Sequence, residues 1–167
     1  MSPFHRPPEF KEPVTSPSKY CFGLKKSIQK EDDKVSLFHY SFKELPSQFD
    51  LRDIYHIKAY NQGSTNSCSA NAICNQINVI LQELKLKIIP SRSFLHFNSR
   101  LVDRENEKSF KPISDDGATL LSSYKSIERF KISDDEYHPF NEMTINEFPS
   151  PQAYINGFSN DIVTSYR

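Results

Sequence analysis

Apolar residues recur along the middle of this chain at spacings of three and four. Ile73, Ile77, Ile80, Leu81 and Leu84 form one such series, which predicts a helix over about residues 67–86 with one buried stripe. Ser67 is a suitable N-cap for it. Ile88-Ile89-Pro90 then reads as a connector, and a second helix begins near Ser91 with Phe94, Leu95, Asn98, Leu101 and Val102 on its inner side. The charged tract from Asp103 to Lys111 predicts an exposed loop. A third helix is expected over about residues 118–130, capped by Asp115 or Asp116, with Leu120, Leu121, Tyr124 and Ile127 facing in. After Phe140 the pattern weakens. Residues 146–167, with Phe148, Tyr154, Phe158 and Ile162, read as the start of a strand or helix whose apolar side is left uncovered.

Upstream of the helices the character changes. Pro3, Pro7, Pro8, Pro13 and Pro17 all fall within the first 18 residues, so that stretch reads as an extended arm. A connecting segment follows, in which Val35-Ser36-Leu37-Phe38 is a candidate strand. The expected organisation is an arm and connector over residues 1–44 and a folded domain over 45–167.

Composition narrows the function classes. With 37% hydrophobic and 25% charged residues the chain has material for one modest core. Its 21 basic and 21 acidic residues cancel, so no charge imbalance points to nucleic acid or anionic lipid as a partner. No apolar run is long enough to span a bilayer. Met1-Ser2-Pro3-Phe4-His5-Arg6-Pro7-Pro8 lacks the apolar core of a secretory signal, which makes the cytoplasm the expected location. Cys21, Cys68 and Cys74 are an odd set and read as free thiols. Cys68 and Cys74 lie six residues apart, about 240° around a helix, so they are not placed as a metal pair. Asp134-Asp135-Glu136 lacks the glycine and distal glutamate of a calcium loop and reads as an exposed turn. No metal or cofactor is expected.

The chemistry concentrates in Asn61-Gln62-Gly63-Ser64-Thr65-Asn66-Ser67-Cys68-Ser69-Ala70-Asn71-Ala72, where Gln62 stands six positions before a cysteine that opens a helix. A thiolate at a helix N-terminus is favoured by the macrodipole and by unpaired backbone N–H groups. The Gln62 amide and the Cys68 N–H are placed to donate to the oxyanion formed when that thiolate attacks a carbonyl.

These residues resemble the papain-like cysteine proteases, the C1 peptidase family. The bacterial and large-virus branch, with its Tyr-Asp-Gln-Gly-x-x-Gly-Ser-Cys-Thr-Ala-Asn-Ala pattern, is similar to Tyr60-Asn61-Gln62-Gly63 and Ser67-Cys68-Ser69-Ala70-Asn71-Ala72. Leu45-Pro46-Ser47-Gln48-Phe49-Asp50-Leu51-Arg52 upstream resembles the start of the mature domain, and Lys19-Tyr20-Cys21-Phe22-Gly23 an element that precedes it. Pro90-Ser91-Arg92-Ser93-Phe94-Leu95, Asp116-Gly117-Ala118-Thr119 and Tyr137-His138-Pro139-Phe140 resemble the next landmarks in order. The resemblance implies an α+β, papain-like fold, mainly the helical left domain with a central helix carrying the cysteine and truncated before the β-rich right domain. It implies a cysteine-type peptidase with Cys68 as nucleophile and Gln62 as oxyanion donor, acting on a peptide or protein substrate.

Departures accompany the matches. Thr65 stands where most papain-like enzymes have a structural cysteine, and Asn66 stands where they have glycine, so strain is expected there if the position needs a positive φ. The family's histidine lies roughly 130–150 residues after its cysteine, whereas 99 residues follow Cys68 here. His5, His39, His56, His96 and His138 each read as surface or core residues. The expectation is a peptidase incomplete or inactive in isolation, with a second chain as a possible source of the His/Asn half. The alternative is a non-catalytic papain-like remnant acting as a binding module.

Overall fold

Eight consecutive residues, Ser93 to Arg100, are buried without interruption in the helix α2, Arg92–Glu107. A helix enclosed on every side is a core element, and the others gather around it. The computed structural model describes residues 24–26, 48–108 and 110–160. Within these, the order is a strand β1 (Leu24–Lys25), a 3-10 turn (Leu51–Asp53), α1 (Cys68–Glu83), α2, a strand β2 (Ala118–Thr119), α3 (Leu120–Phe130), a second 3-10 turn (Glu142–Thr144) and α4 (Pro151–Ser159). The two strands pair in parallel, Leu24 with Ala118 and Lys25 with Thr119. The candidate strand at Val35–Phe38 lies outside the described residues.

Helix α1 buries Ala70, Ile73, Cys74, Ile77 and Leu81, a stripe at helical spacing that meets Leu95 of α2, Ile127 of α3 and Ile132. Ile80 and Leu84, expected on that stripe, are 42% and 52% exposed. The helix ends early because Lys85 takes a left-handed φ of 56°, and its chain turns toward Pro90. There Ser91 N–H donates to Ser133 O and Asp135 N–H to Ile89 O, clasping the connector to the segment after α3. Asp134 and Asp135 are therefore half-buried parts of a backbone pairing.

Two boundaries differ from the pattern. The tract from Asp103 onward is no loop, because α2 continues to Glu107. Asp103 is only 5% exposed and accepts hydrogen bonds from Thr119 N, Thr119 Oγ1 and Ser122 Oγ, so its charge is turned inward. The cap of α3 is Thr119, whose side chain accepts from Ser122 N, in place of Asp115 or Asp116. The inner face of α3 also differs: Ser122, Ser123, Ser126 and Ile127 are buried while Leu120 is 43% exposed. Small serines let α3 lie close against α2, and Ser123 satisfies its hydroxyl on Thr119 O.

The C-terminal segment resolves as a helix, α4, capped by Ser150 on Ala153 N with Pro151 in its first turn. Gly157 is required where α4 crosses the chain, since a Cβ there would stand 2.9 Å from Phe130 O. Tyr154 packs edge-on against Phe94 and Phe130, at 5.1 and 5.8 Å between ring centres. The expected uncovered side is present at Phe148 and Phe158, 68% and 55% exposed. Ile162 lies outside the described residues.

Arg100 holds this arrangement together. It is 1% exposed, and its guanidinium donates to His96 O, Ser114 O, Asn146 Oδ1 and Ile145 O. Burial pushes its pKa down to about 10, against the opposing pull of Asp115 and Asp116. Arg100→Met should destabilise the domain by about 3 kcal/mol, because buried carbonyls lose their donors. Urea unfolding measures this, and a loss below about 1 kcal/mol would mean that water replaces the guanidinium.

Candidate active site

Cys68 is the first residue of α1 and is partly exposed, whereas Cys74 in the same helix is buried. The loop that delivers Cys68 is Tyr60 to Ser67, and polar contacts fix it from three directions.

The first comes from Arg92 at the start of α2. Its Nη1 donates to Asn61 O at 3.0 Å and to Asn71 Oδ1 at 2.8 Å, and its guanidinium lies 4.4 Å from the Tyr60 ring centre and 3.9 Å from that of Phe140. One side chain thus ties the loop, the first turns of α1 and the Tyr137–Phe140 segment together.

The second comes from Glu142, which accepts from Ser64 N at 2.9 Å and from Ser64 Oγ at 2.7 Å. These hydrogen bonds, the backbone one first, lower the Glu142 pKa. Gly63 makes the approach possible: its φ is +58°, and a Cβ there would run into the Glu142 carboxylate.

The third comes from Asp115. Its Oδ2 accepts from Asn66 N at 2.9 Å, its carbonyl accepts from Asn66 Nδ2 at 2.6 Å, and its Oδ1 pairs with His96 Nε2 at 2.7 Å. Asn66 is absent from the residues with positive φ, so the expected strain at this substituted glycine does not arise. The asparagine side chain instead supplies a tether that glycine lacks.

Inside the loop, the Thr65 hydroxyl is buried and donates to Gln62 O at 2.7 Å, while sharing a hydrogen bond with Ser67 Oγ at 2.7 Å. Ser67 stands at the N-cap position, yet its side chain makes no capping bond, contrary to expectation. Its hydroxyl is drawn sideways, to Thr65 and to Asn71 Nδ2 at 2.8 Å. Gln62 is partly buried and donates through Nε2 to Thr65 O at 2.9 Å. A primary amide nitrogen carries two hydrogens, so one holds the side chain and the other has no hydrogen-bond partner among the described residues.

Burial lowers the pKa of His96, even though the bond to Asp115 opposes it, so the imidazole is neutral. Facing a carboxylate it carries its hydrogen on Nε2, and Nδ1 is left buried without a partner. Burial pushes Asp115 up, but the hydrogen bonds from His96 and Asn66 outweigh it and leave the carboxyl below its ordinary value. His138 is half-buried with Nε2 unpartnered, and its carbonyl accepts from Ser91 Oγ. His56 is exposed, its N–H bonded to Gln82. No described histidine hydrogen-bonds Cys68, and His5, His39 and Cys21 lie outside the described residues. Among the described residues no cluster of metal-ligating side chains occurs, and no helix is long and apolar enough to cross a membrane.

The pattern of the loop singled out Gln62 and Cys68 but missed Asp115, Arg92 and Glu142. Asp115 read as a helix cap, and its 49-residue separation from Asn66 leaves no local signal.

Two outcomes follow from this geometry. Iodoacetamide near pH 6.5 should modify Cys68 well before Cys74, whose thiol burial pushes far above its ordinary pKa. Mass mapping reads the order, and preferential labelling of Cys74 would mean that the loop is not formed as described. The Ser64 tether should hold above the ordinary glutamate pKa of 4.5 and fail as pH drops through the lowered folded value. Hydrogen exchange at Ser64 N–H follows this, and protection that survives protonation of Glu142 contradicts it.

No family model matches the chain. A peptidase C1-like protein of Acanthamoeba polyphaga mimivirus is 27% identical over 112 residues, which cover 64% of this chain and 34% of the viral protein. The chain thus spans about a third of the length of that relative. The crystal structure of xylellain, a cysteine protease from Xylella fastidiosa, matches with a TM-score of 0.69 over 90% of this chain and 59% of xylellain, at 22% identity. The fold is papain-like and mostly helical with a small sheet, consistent with the left domain, and the two matches support a relationship to the papain-like C1 peptidases.

Proposed function

We propose that this chain carries the nucleophile half of a cysteine peptidase, with Cys68 attacking the peptide carbonyl and Gln62 donating to the oxyanion. The observation that carries this reading is the pairing of a partly exposed Cys68 at the first position of α1 with a Gln62 amide anchored on Thr65 O in the loop immediately before it. The thiolate adds to the carbonyl carbon and its electrons move to oxygen. Gln62 Nε2–H and the Cys68 N–H stabilise that charge. Collapse breaks the C–N bond, the amine leaves with a proton, and the thioester on Sγ is released by water.

The amine departs readily only when a general acid protonates it, and the same group must later activate water. His96 is unsuited to this, being fully buried and committed to Asp115. The base is assigned to a complementary half, on a second polypeptide or elsewhere in the protein. Peptides or proteins are the proposed substrates.

The test separates the two chemical steps. Residues 1–167 alone should show no turnover of fluorogenic peptides, yet Cys68 should take up one equivalent of acyl group from p-nitrophenyl acetate, a donor whose leaving group needs no protonation. Absence of acylation at Cys68 would overturn the peptidase reading and favour a binding module. Turnover that disappears in Cys68→Ala would place a base within these residues, with His96 and His138 the first to substitute.

A further inference from the structure

The peptide unit between Thr65 and Asn66 is held at both ends. Its N–H donates to Asp115 Oδ2 at 2.9 Å, and its carbonyl accepts from Gln62 Nε2 at 2.9 Å. Because the unit is planar, fixing the direction of the N–H fixes that of the carbonyl, and with it the hydrogen bond that holds the Gln62 amide. An anionic acceptor on the N–H also polarises the carbonyl and strengthens its hold on Gln62.

Asp115 is itself restrained. His96 Nε2 binds Oδ1 from a fully buried position on α2, and the Asp115 carbonyl accepts from Asn66 Nδ2. The line runs from the core helix through His96 and Asp115 to the Thr65–Asn66 peptide, and from there to Gln62. We propose that Asp115 is a positioning residue that, held by His96, sets the Gln62 amide through the Thr65–Asn66 peptide so that its second Nε2–H faces the oxyanion. This assignment rests on the oxyanion role of Gln62 in the peptidase reading.

The two electrophiles that react with Cys68 differ in the one respect that matters. Iodoacetamide is attacked at a saturated carbon, the C–I bond breaks, and iodide leaves without any oxyanion. p-Nitrophenyl acetate is attacked at its carbonyl, an oxyanion forms, and the C–O bond then breaks to release nitrophenolate. The ratio of acylation to alkylation rates at Cys68 therefore reports the oxyanion donors apart from the reactivity of the thiol.

Asp115→Ala should lower acylation by about tenfold, less than the loss of a whole oxyanion donor, while alkylation stays within about twofold. Asp115→Asn keeps an acceptor for Asn66 N–H without the charge and should fall between. Gln62→Ala should lower the ratio more than either Asp115 variant does, and adding either Asp115 substitution to Gln62→Ala should lower it little further, since both act through one amide. Circular dichroism establishes that each variant is folded, and if Asp115→Ala is not, Asp115→Asn with its Gln62 double variant carries the comparison. An unchanged ratio in the folded variant, an equal fall in both rates, or full additivity with Gln62→Ala would overturn the assignment. Failure of the unaltered chain to acylate Cys68 overturns the peptidase reading and this assignment with it, whereas acylation with a ratio insensitive to Asp115 overturns this assignment alone.

Discussion

Burying a helix as polar as α2 imposes the constraint around which the rest of the domain is built. Ser93, His96, Asn98, Ser99, Arg100 and Asp103 all lie inside, and each polar group removed from water costs on the order of a kcal/mol or more unless it is bonded. Ser99 finds Leu95 O within the helix. Ser93 Oγ has no partner among the described residues, whereas the other four recruit distant chain: His96 draws in Asp115, Arg100 draws in Ser114, Ile145 and Asn146, Asn98 draws in Tyr154, and Asp103 draws in Thr119 and Ser122. Satisfying α2 therefore fixes the path of residues 114–122 and of the segment leading into α4.

The loop ahead of Cys68 inherits its shape from this arrangement. It has no covalent brace, since Thr65 hydrogen-bonds with Gln62 and Ser67 where a cysteine would be needed to form one. Charged groups supply the restraint instead: the Arg92 guanidinium, the Glu142 carboxylate and the Asp115 carboxylate reach the loop from α2, from the second 3-10 turn and from the segment ahead of β2. Charge-assisted hydrogen bonds of this kind are stronger and more directional than neutral ones. Three of them from different elements over-determine the backbone between Asn61 and Cys68, as the proposed oxyanion role of Gln62 requires.

His96 illustrates how burial decides a residue's chemistry. A histidine 19 positions before an aspartate it hydrogen-bonds has the partner of a catalytic base. Desolvation holds its pKa down, and the helix that carries it leaves it no exposed surface. In the proposed assignment it acts through the geometry it imposes on Asp115.

The sequence by itself determined what depends on local spacing. The stripe of α1, the start of α2 at Ser91, the α3 segment and the Gln62–Cys68 pair all follow from residues within a turn or two of each other, where period and capping act directly. The order of landmarks from Leu45 to Phe140 likewise carried the papain-like fold. Tertiary structure decided whatever depended on a partner far along the chain. Asp103 and Arg104 look like a solvated loop until Thr119 and Ser122 make burial of Asp103 affordable, so the helix runs on to Glu107. Ser67 looks like a cap until Thr65 and Asn71 claim its hydroxyl. Asp115 looks like a cap until His96 and Asn66 turn it toward the loop ahead of Cys68, because a carboxylate is directed by whichever donors the packing brings within hydrogen-bonding distance.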